Sequence, residues 1–234
     1  MIELDEKPKN PIIIEGFPGF GLVSTIATEF LIKHTDAKRI GKFFTEKLLP
    51  IAVIKNSKVI DPLEIYYSKK YNLVILRTMT SVAGSEWEVA KLVEEIATQL
   101  KAKEIISIEG ISSATKNEKT SKVYYYTNLD AKKFEKINVT NMKDGIVMGV
   151  TGVLLMHADK LPFSCIFAEA NADIPDSRAA GEVIKVLDDY LGLKVDYKPL
   201  MKTAEEVENK VKDLISKIQE TSTQKSKKEA SYLG

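Results

Sequence analysis

Hydrophobic positions along the chain fall into short continuous runs that alternate with stripes of helical spacing. Ile12, Ile13 and Ile14 form the first run, which predicts a strand covered on both faces. Gly16, Gly19 and Gly21 follow and let the backbone turn tightly. Leu22, Ile26 and Phe30 then recur every four residues, with Val23 and Ala27 beside them, which predicts a helix. Continuous runs at 71–78, 104–111 and 161–168 predict three more buried strands. Val89, Leu92, Val93, Ile96 and Leu100 line one helix between two of these strands. Ala180, Val183, Ile184, Leu187 and Leu191 line another after the last. Ser85 with Glu88 has the form of a capping box. Pro175-Asp176-Ser177 reads as a helix start, and Gly192 as the C-cap.

Weaker patterns lie between these elements. Residues 40–44, 48–54 and 59–67 are short strand candidates, the last broken by Asp61-Pro62, with Asn56-Ser57 suited to a hairpin turn. They predict antiparallel additions to the sheet. Val123–Tyr126 reads as a tyrosine-rich strand, and residues 128–141 as a polar connection. Gly145–Gly152 reads as a strand entering a turn, with Val153–Met156 starting a helix. The alternation of strands and helices predicts a three-layer α/β/α sandwich over residues 1–198.

The pattern then changes. Residues 199–220 predict an amphipathic helix, opened by Thr203 and Glu206 as a second capping box. Val207, Val211, Leu214 and Ile218 form a heptad seam that can oligomerise or pack on its own domain, and both readings stand. Residues 221–234 are polar and lysine-rich, a flexible tail by composition. The tail ends on Tyr232-Leu233-Gly234. The residues alone leave open a docking tip, with its free carboxylate, and an incidental terminus.

Charge and composition narrow the function. With 34 basic and 33 acidic residues in 234, the net charge is +1. A dedicated nucleic-acid binder carries a clear basic excess, so this class is disfavoured. Cys165 is the single cysteine, which excludes an internal disulfide and reads as a small core residue. His34 and His157 are too few for a histidine-rich metal site. The first ten residues are charged and lack the apolar run of a signal peptide, and no apolar stretch is long enough to span a bilayer. A cytoplasmic location is the expectation.

Candidate chemistry is sparse. The cluster Gly16–Gly21 is neither G-x-G-x-x-G nor a P-loop, Pro18 removes a donor, and Phe17 and Phe20 suit packing. Gly145, Gly149 and Gly152 suit close backbone approach. Glu109 and Glu169 fall at C-terminal strand ends, where open α/β sheets bind ligands and where two carboxylates could do acid–base work. The structural alternative pairs them with lysines, and that reading is preferred. Ser24, Thr25, Ser112 and Ser113 lie in no nucleophile elbow, and nothing pairs His157 with a serine. No catalytic residue, metal ligand or cofactor is therefore assigned. Trp87 and Tyr124–Tyr126 are of the type favoured at interfaces or on a half-covered sheet face.

Taken together, IIIEGFPGFGLVSTIATEFLI, LVILRTM, EIISIEGISS, GIVMGVTGVLL and FAEANADIPDSRAAGEVIKVLDDYLG occur in the order seen in the proteasome assembly chaperone family. The sequence resembles that family's archaeal homologues over most of residues 11–193. The resemblance implies an α/β sandwich similar to nucleoside phosphorylases. It implies a non-catalytic protein that binds proteasome α-subunits or α-rings and forms homo-oligomers, with a tetramer favoured. Some family members and proteasome activators end in a hydrophobic–tyrosine–any-residue motif that docks between α-subunits. The end of this chain is similar, so Tyr232, Leu233 and Gly234 are the implied partner-binding residues. Tyr232 is third from the end rather than penultimate, which shifts the register. The competing expectation is an enzyme on the same fold, acting on a nucleoside or an anionic metabolite through Glu109 and Glu169.

Overall fold

The computed structural model describes residues 1–55, 57–112, 121–172 and 174–197, together with Asp213 and Ser216. In chain order the elements are β1 (Ile2–Leu4), β2 (Ile12–Glu15), α1 (Val23–His34), β3 (Lys38–Phe43), β4 (Val53–Lys55), β5 (Lys58–Ile60), β6 (Leu63–Ser68) and β7 (Leu73–Thr78). There follow α2 (Glu86–Leu100), β8 (Glu104–Ser112), β9 (Val123–Thr127), α3 (Lys132–Lys136), β10 (Thr140–Asn141), α4 (Gly149–Met156), β11 (Phe163–Ala170) and α5 (Ser177–Leu191).

Among the described residues one nine-stranded sheet runs in the order β1-β3-β6-β7-β2-β8-β11-β9-β10. Its centre, β7-β2-β8-β11, is parallel. Strands β1, β3 and β6 add to one side antiparallel, as expected for that stretch. Strand β9 runs antiparallel to β11 on the other side. The central strands are buried along nearly their whole length. That burial explains why they read as continuous apolar runs rather than alternating ones.

Strand alternation divides the core into two layers. Ile13, Ile105, Phe163 and Phe167 face α2 and α4, where Val89, Val93, Ile96, Val153 and Leu154 complete one cluster. Ile14, Ile106, Ile108 and Ile166 face the other way, against Ile26, Phe30, Val183, Ile184 and Leu187 of α1 and α5. The architecture is the three-layer α/β/α sandwich the alternation predicts. Helix α5 starts as expected, with the Asp176 carboxylate accepting the Ala179 N–H at 2.9 Å, and ends at Gly192 with φ 68°.

Several local expectations need correction. Residues 145–148 form no strand; α4 begins at Gly149, whose φ is +74°. The apolar run is not the mark of a covered strand here, since Ile146 is 92% and Met148 71% exposed. The 48–54 candidate shrinks to β4, a hairpin with β5, because Pro50 cannot donate to a ladder. Ser85 makes no side-chain cap; its hydroxyl donates to the Lys47 carbonyl, and Glu88 pairs with the Lys47 ammonium. Short elements β1, α3 and β10 carried too little periodicity to be read.

Candidate functional site

From β2 the chain runs through α1 to β3, on the β7 side, whereas from β8, the other neighbour of β2, it runs to β9, beyond β11 on the opposite side. Loops leaving adjacent strands in opposite directions open a crevice beyond their C-terminal ends. A cavity of about 550 Å³ lies there, lined by residues 18–20 after β2, 109–112 at the end of β8, Phe167 of β11, Met142 and residues 144–149. Its size is that of a small-molecule pocket.

Two glycines shape it. A side chain at position 110 would meet the Phe20 carbonyl at 2.1 Å, so Gly110 lets the loop after β2 lie directly on β8. A side chain at position 19 would approach Oε2 of Glu109 to 3.2 Å, so Gly19 keeps that oxygen accessible from the loop side. The turn itself is locked by Ser24, whose hydroxyl donates to the Phe17 carbonyl at 2.5 Å.

Beneath the cavity, the sheet face toward α4 carries a polar row. Glu15, Ser107 and Cys165 are cross-strand neighbours on β2, β8 and β11. Glu109 stands two residues beyond Ser107 on the same face. Thr151 of α4 joins the two levels: its hydroxyl donates to Glu109 Oε1 at 2.5 Å and lies 2.7 Å from the Ser107 hydroxyl. When Glu109 is ionised and takes the Thr151 proton, Ser107 is the donor to Thr151.

The two carboxyls are held far from the ordinary carboxylate range. Burial pushes Glu109 up to about 7, against the opposing pull of the Thr151 hydrogen bond. Burial pushes Glu15 up to about 8, and the charge of Glu109 adds to the rise. Ser107 tempers this, but its hydroxyl is engaged with Thr151. Neither Glu15 oxygen has a hydrogen-bond partner among the described residues. Glu15 is fully buried, so at neutral pH it is mainly a protonated acid. Cys165 is also fully buried, and desolvation raises its thiol well above the ordinary value. It is the inert core residue expected of it.

The other sequence candidates disperse. Glu169 does not line the cavity, and Oε1 accepts the Tyr124 hydroxyl at 2.9 Å. The two carboxylates are therefore not assembled into one site. Nδ1 of His157 pairs with Glu94 at 2.6 Å, and the ring lies 6.4 Å from Trp87. His34 stacks on Phe30. Ser112 lines the cavity, whereas Ser113 lies outside the described residues. So do Val207, Val211, Leu214 and Ile218 of the seam and Tyr232, Leu233 and Gly234 of the tail. Among the described residues no group of three or more His, Cys, Asp or Glu could hold a metal ion. No helix among them is long and apolar enough to cross a membrane.

Sequence reasoning missed Glu15, Ser107 and Thr151. The signal was there for Glu15, an acid closing an otherwise apolar strand, and for Ser107, a hydroxyl inside the run EIISIEGI. Thr151 sits in a glycine-rich apolar stretch, and its partner is 42 residues away.

The geometry has solved counterparts. The Pyrococcus furiosus protein PbaA, described as an archaeal homologue of proteasome-assembly chaperone, superposes with a TM-score of 0.83 at 30% identity, over 94% of this chain and 99% of that one. PbaB from the same organism, described as an archaeal proteasome activator, superposes with a TM-score of 0.76 at 25% identity, over 92% of this chain and 98% of that one. An uncharacterised protein of Methanocaldococcus jannaschii, MJ0106, is 30% identical over 212 residues, 88% of this chain and 86% of its own length. The sequence also matches the PAC2 family over residues 13–215. With the match spanning both core layers and every element of the sheet from β2 to β11, this chain is a member of the PAC2 family.

Proposed function

We propose that this chain is a non-catalytic cytoplasmic factor that assists assembly or activation of the proteasome by binding its α-subunits or α-rings. The observation that carries the reading is the near end-to-end likeness to both PbaA and PbaB, whose descriptions name proteasome assembly and proteasome activation. In this reading the folded domain is a platform. Several copies associate, a tetramer being favoured, with the seam Val207, Val211, Leu214 and Ile218 as a contact. Each copy offers a tail in which Tyr232 and Leu233 fill a pocket and the Gly234 carboxylate meets a basic group. Weak tails on one multimeric body bind a ring of subunits by avidity.

The surface supports a protein that works by contact. Trp87, Ile146, Met148 and Met156 are 59%, 92%, 71% and 61% exposed, and all lie at the ends of α2 and α4. Large exposed apolar groups gathered near one layer are typical of interaction surfaces.

Binding of the full chain, and of a form ending at Ala230, to assembled α-rings tests the proposal. The full chain should bind and the shortened form should bind at least tenfold more weakly with unchanged melting. Equal binding by the two forms would remove the tail mechanism. If neither bound rings nor isolated α-subunits, the proteasome reading itself would fall.

A further inference from the structure

Behind the exposed Ile146 and Met148, the cavity beyond β2 and β8 carries a chemistry that protein contact alone does not explain. Its described lining includes two acidic side chains, Glu109 and Asp144, and no lysine, arginine or histidine. The rest of the described lining is largely apolar and includes Phe20, Ile146, Met148 and Phe167. Among the described lining residues an anion would meet negative charge and no positive partner, so the anionic-metabolite expectation does not suit the described part of this site. A plain hydrocarbon would leave the Glu109 carboxyl desolvated without compensation. A positive group on an apolar body satisfies both features.

We propose that this cavity is a binding site for a small organic cation, an amine or amidine on an apolar body, with its positive group against Glu109 and its body among Phe20, Phe167 and Ile146. The proposal does not rest on the proteasome reading. Gly19 leaves Glu109 Oε2 open, because a side chain there would stand 3.2 Å from it. The other oxygen, Oε1, is already held by Thr151 at 2.5 Å. The acid is therefore fixed in orientation with one oxygen left for a ligand. Cations also sit well over aromatic faces and beside polarisable thioethers. The ionised form of Glu109 is the one that attracts a cation, and burial holds this acid near pH 7. Binding consequently strengthens as pH rises.

The test is calorimetric titration of the full chain with benzamidine and 2-phenylethylamine at pH 6 and pH 8. Benzamide and 3-phenylpropionate are the neutral and anionic counterparts. Both cations should bind, about tenfold more tightly at pH 8, from the change in ionised fraction of an acid titrating near 7. The counterparts should not bind. Glu109→Gln should weaken the cations at least tenfold and flatten the pH dependence. Ile146→Arg, placed at a 92% exposed position that burdens no core contact, should weaken them by charge while leaving the fold intact. The proposal is overturned if neither cation binds at millimolar concentration. It is equally overturned if 3-phenylpropionate binds as well as they do, or if Glu109→Gln and Ile146→Arg both bind the cations unchanged.

Discussion

The Thr151 hydroxyl donates to Glu109 Oε1 at 2.5 Å, so the first turn of α4 is bolted to the end of β8 through a partly buried carboxyl. The same hydroxyl reaches Ser107, whose cross-strand neighbour is Glu15. A helix terminus, two strands and two raised acids thus share one polar thread inside an otherwise apolar layer. Each piece has a measurable consequence.

Glu15 should make stability pH-dependent. Its folded pKa, about 8, lies above the unfolded value of 4.5, so the folded state holds the proton more tightly. Stability is then greatest below the unfolded value and falls as pH rises toward 8. The difference amounts to about 3 kcal/mol at pH 7. Glu15→Gln removes the titration, so its urea midpoint should change less between pH 5 and pH 8 than that of the natural chain. Parallel midpoint curves for the two proteins would show that Glu15 is not the buried acid described.

Arg77 should be structurally expensive to remove. It donates to the Tyr66 hydroxyl at 2.9 Å, lies 3.2 Å from Glu29 and 3.5 Å from Glu64, and its side chain is 10% exposed. Glu64, with a 4% exposed side chain, also pairs with Arg39 at 3.0 Å. Arg77→Ala takes one of two cations from Glu64 and a donor from the Tyr66 hydroxyl, while Arg39 still pairs with Glu64, so it should cost about 2 kcal/mol in urea unfolding. Arg39→Ala in the Arg77→Ala background should then cost more than Arg39→Ala alone, because Glu64 loses its second cation. Equal costs in the two backgrounds would show that the two arginines do not share Glu64.

Asp176 should act as a helix cap that also ties down the turn before α5. One carboxylate oxygen accepts the Ala179 N–H at 2.9 Å and the other accepts the Asn171 N–H at 3.1 Å. Asp176→Ala should lower stability by about 1 kcal/mol, and Asp176→Ser should restore much of it. Thermal melts of the three proteins decide this; equal losses for Ala and Ser would show that the cap is not the source.

The seam outside the described residues is open to a mass measurement. Val211→Asp with Leu214→Asp should convert the oligomer to smaller species if the stripe joins copies. Native mass spectrometry at low micromolar concentration reads the outcome. An unchanged mass with a lower melting temperature would place the stripe on its own domain instead.

The sequence by itself determined the layer architecture. Ile12–Ile14, residues 71–78, 104–111 and 161–168 are continuous apolar runs, and such runs are stable only when both faces are covered. The α2 and α5 stripes then had to supply the cover. Asp176 and Gly192 marked the ends of α5 because capping is local chemistry, complete within a few residues. Pairings between distant segments were beyond that reach. Local pattern read Gly145–Gly152 as a strand entering a turn, yet residues 145–148 join no strand and α4 opens at Gly149 instead. It also treated Glu109 and Glu169 as equivalent strand-end acids. Tertiary structure separated them: Glu109 faces a cavity and Thr151, whereas Glu169 is tied to Tyr124. Burial raises an acid's pKa only where neighbouring chains exclude water, and those neighbours are chosen by the order of strands in the sheet. That order, with β2 inserted between β7 and β8, is what opened the crevice and assembled Glu15, Ser107, Glu109 and Thr151 beneath it.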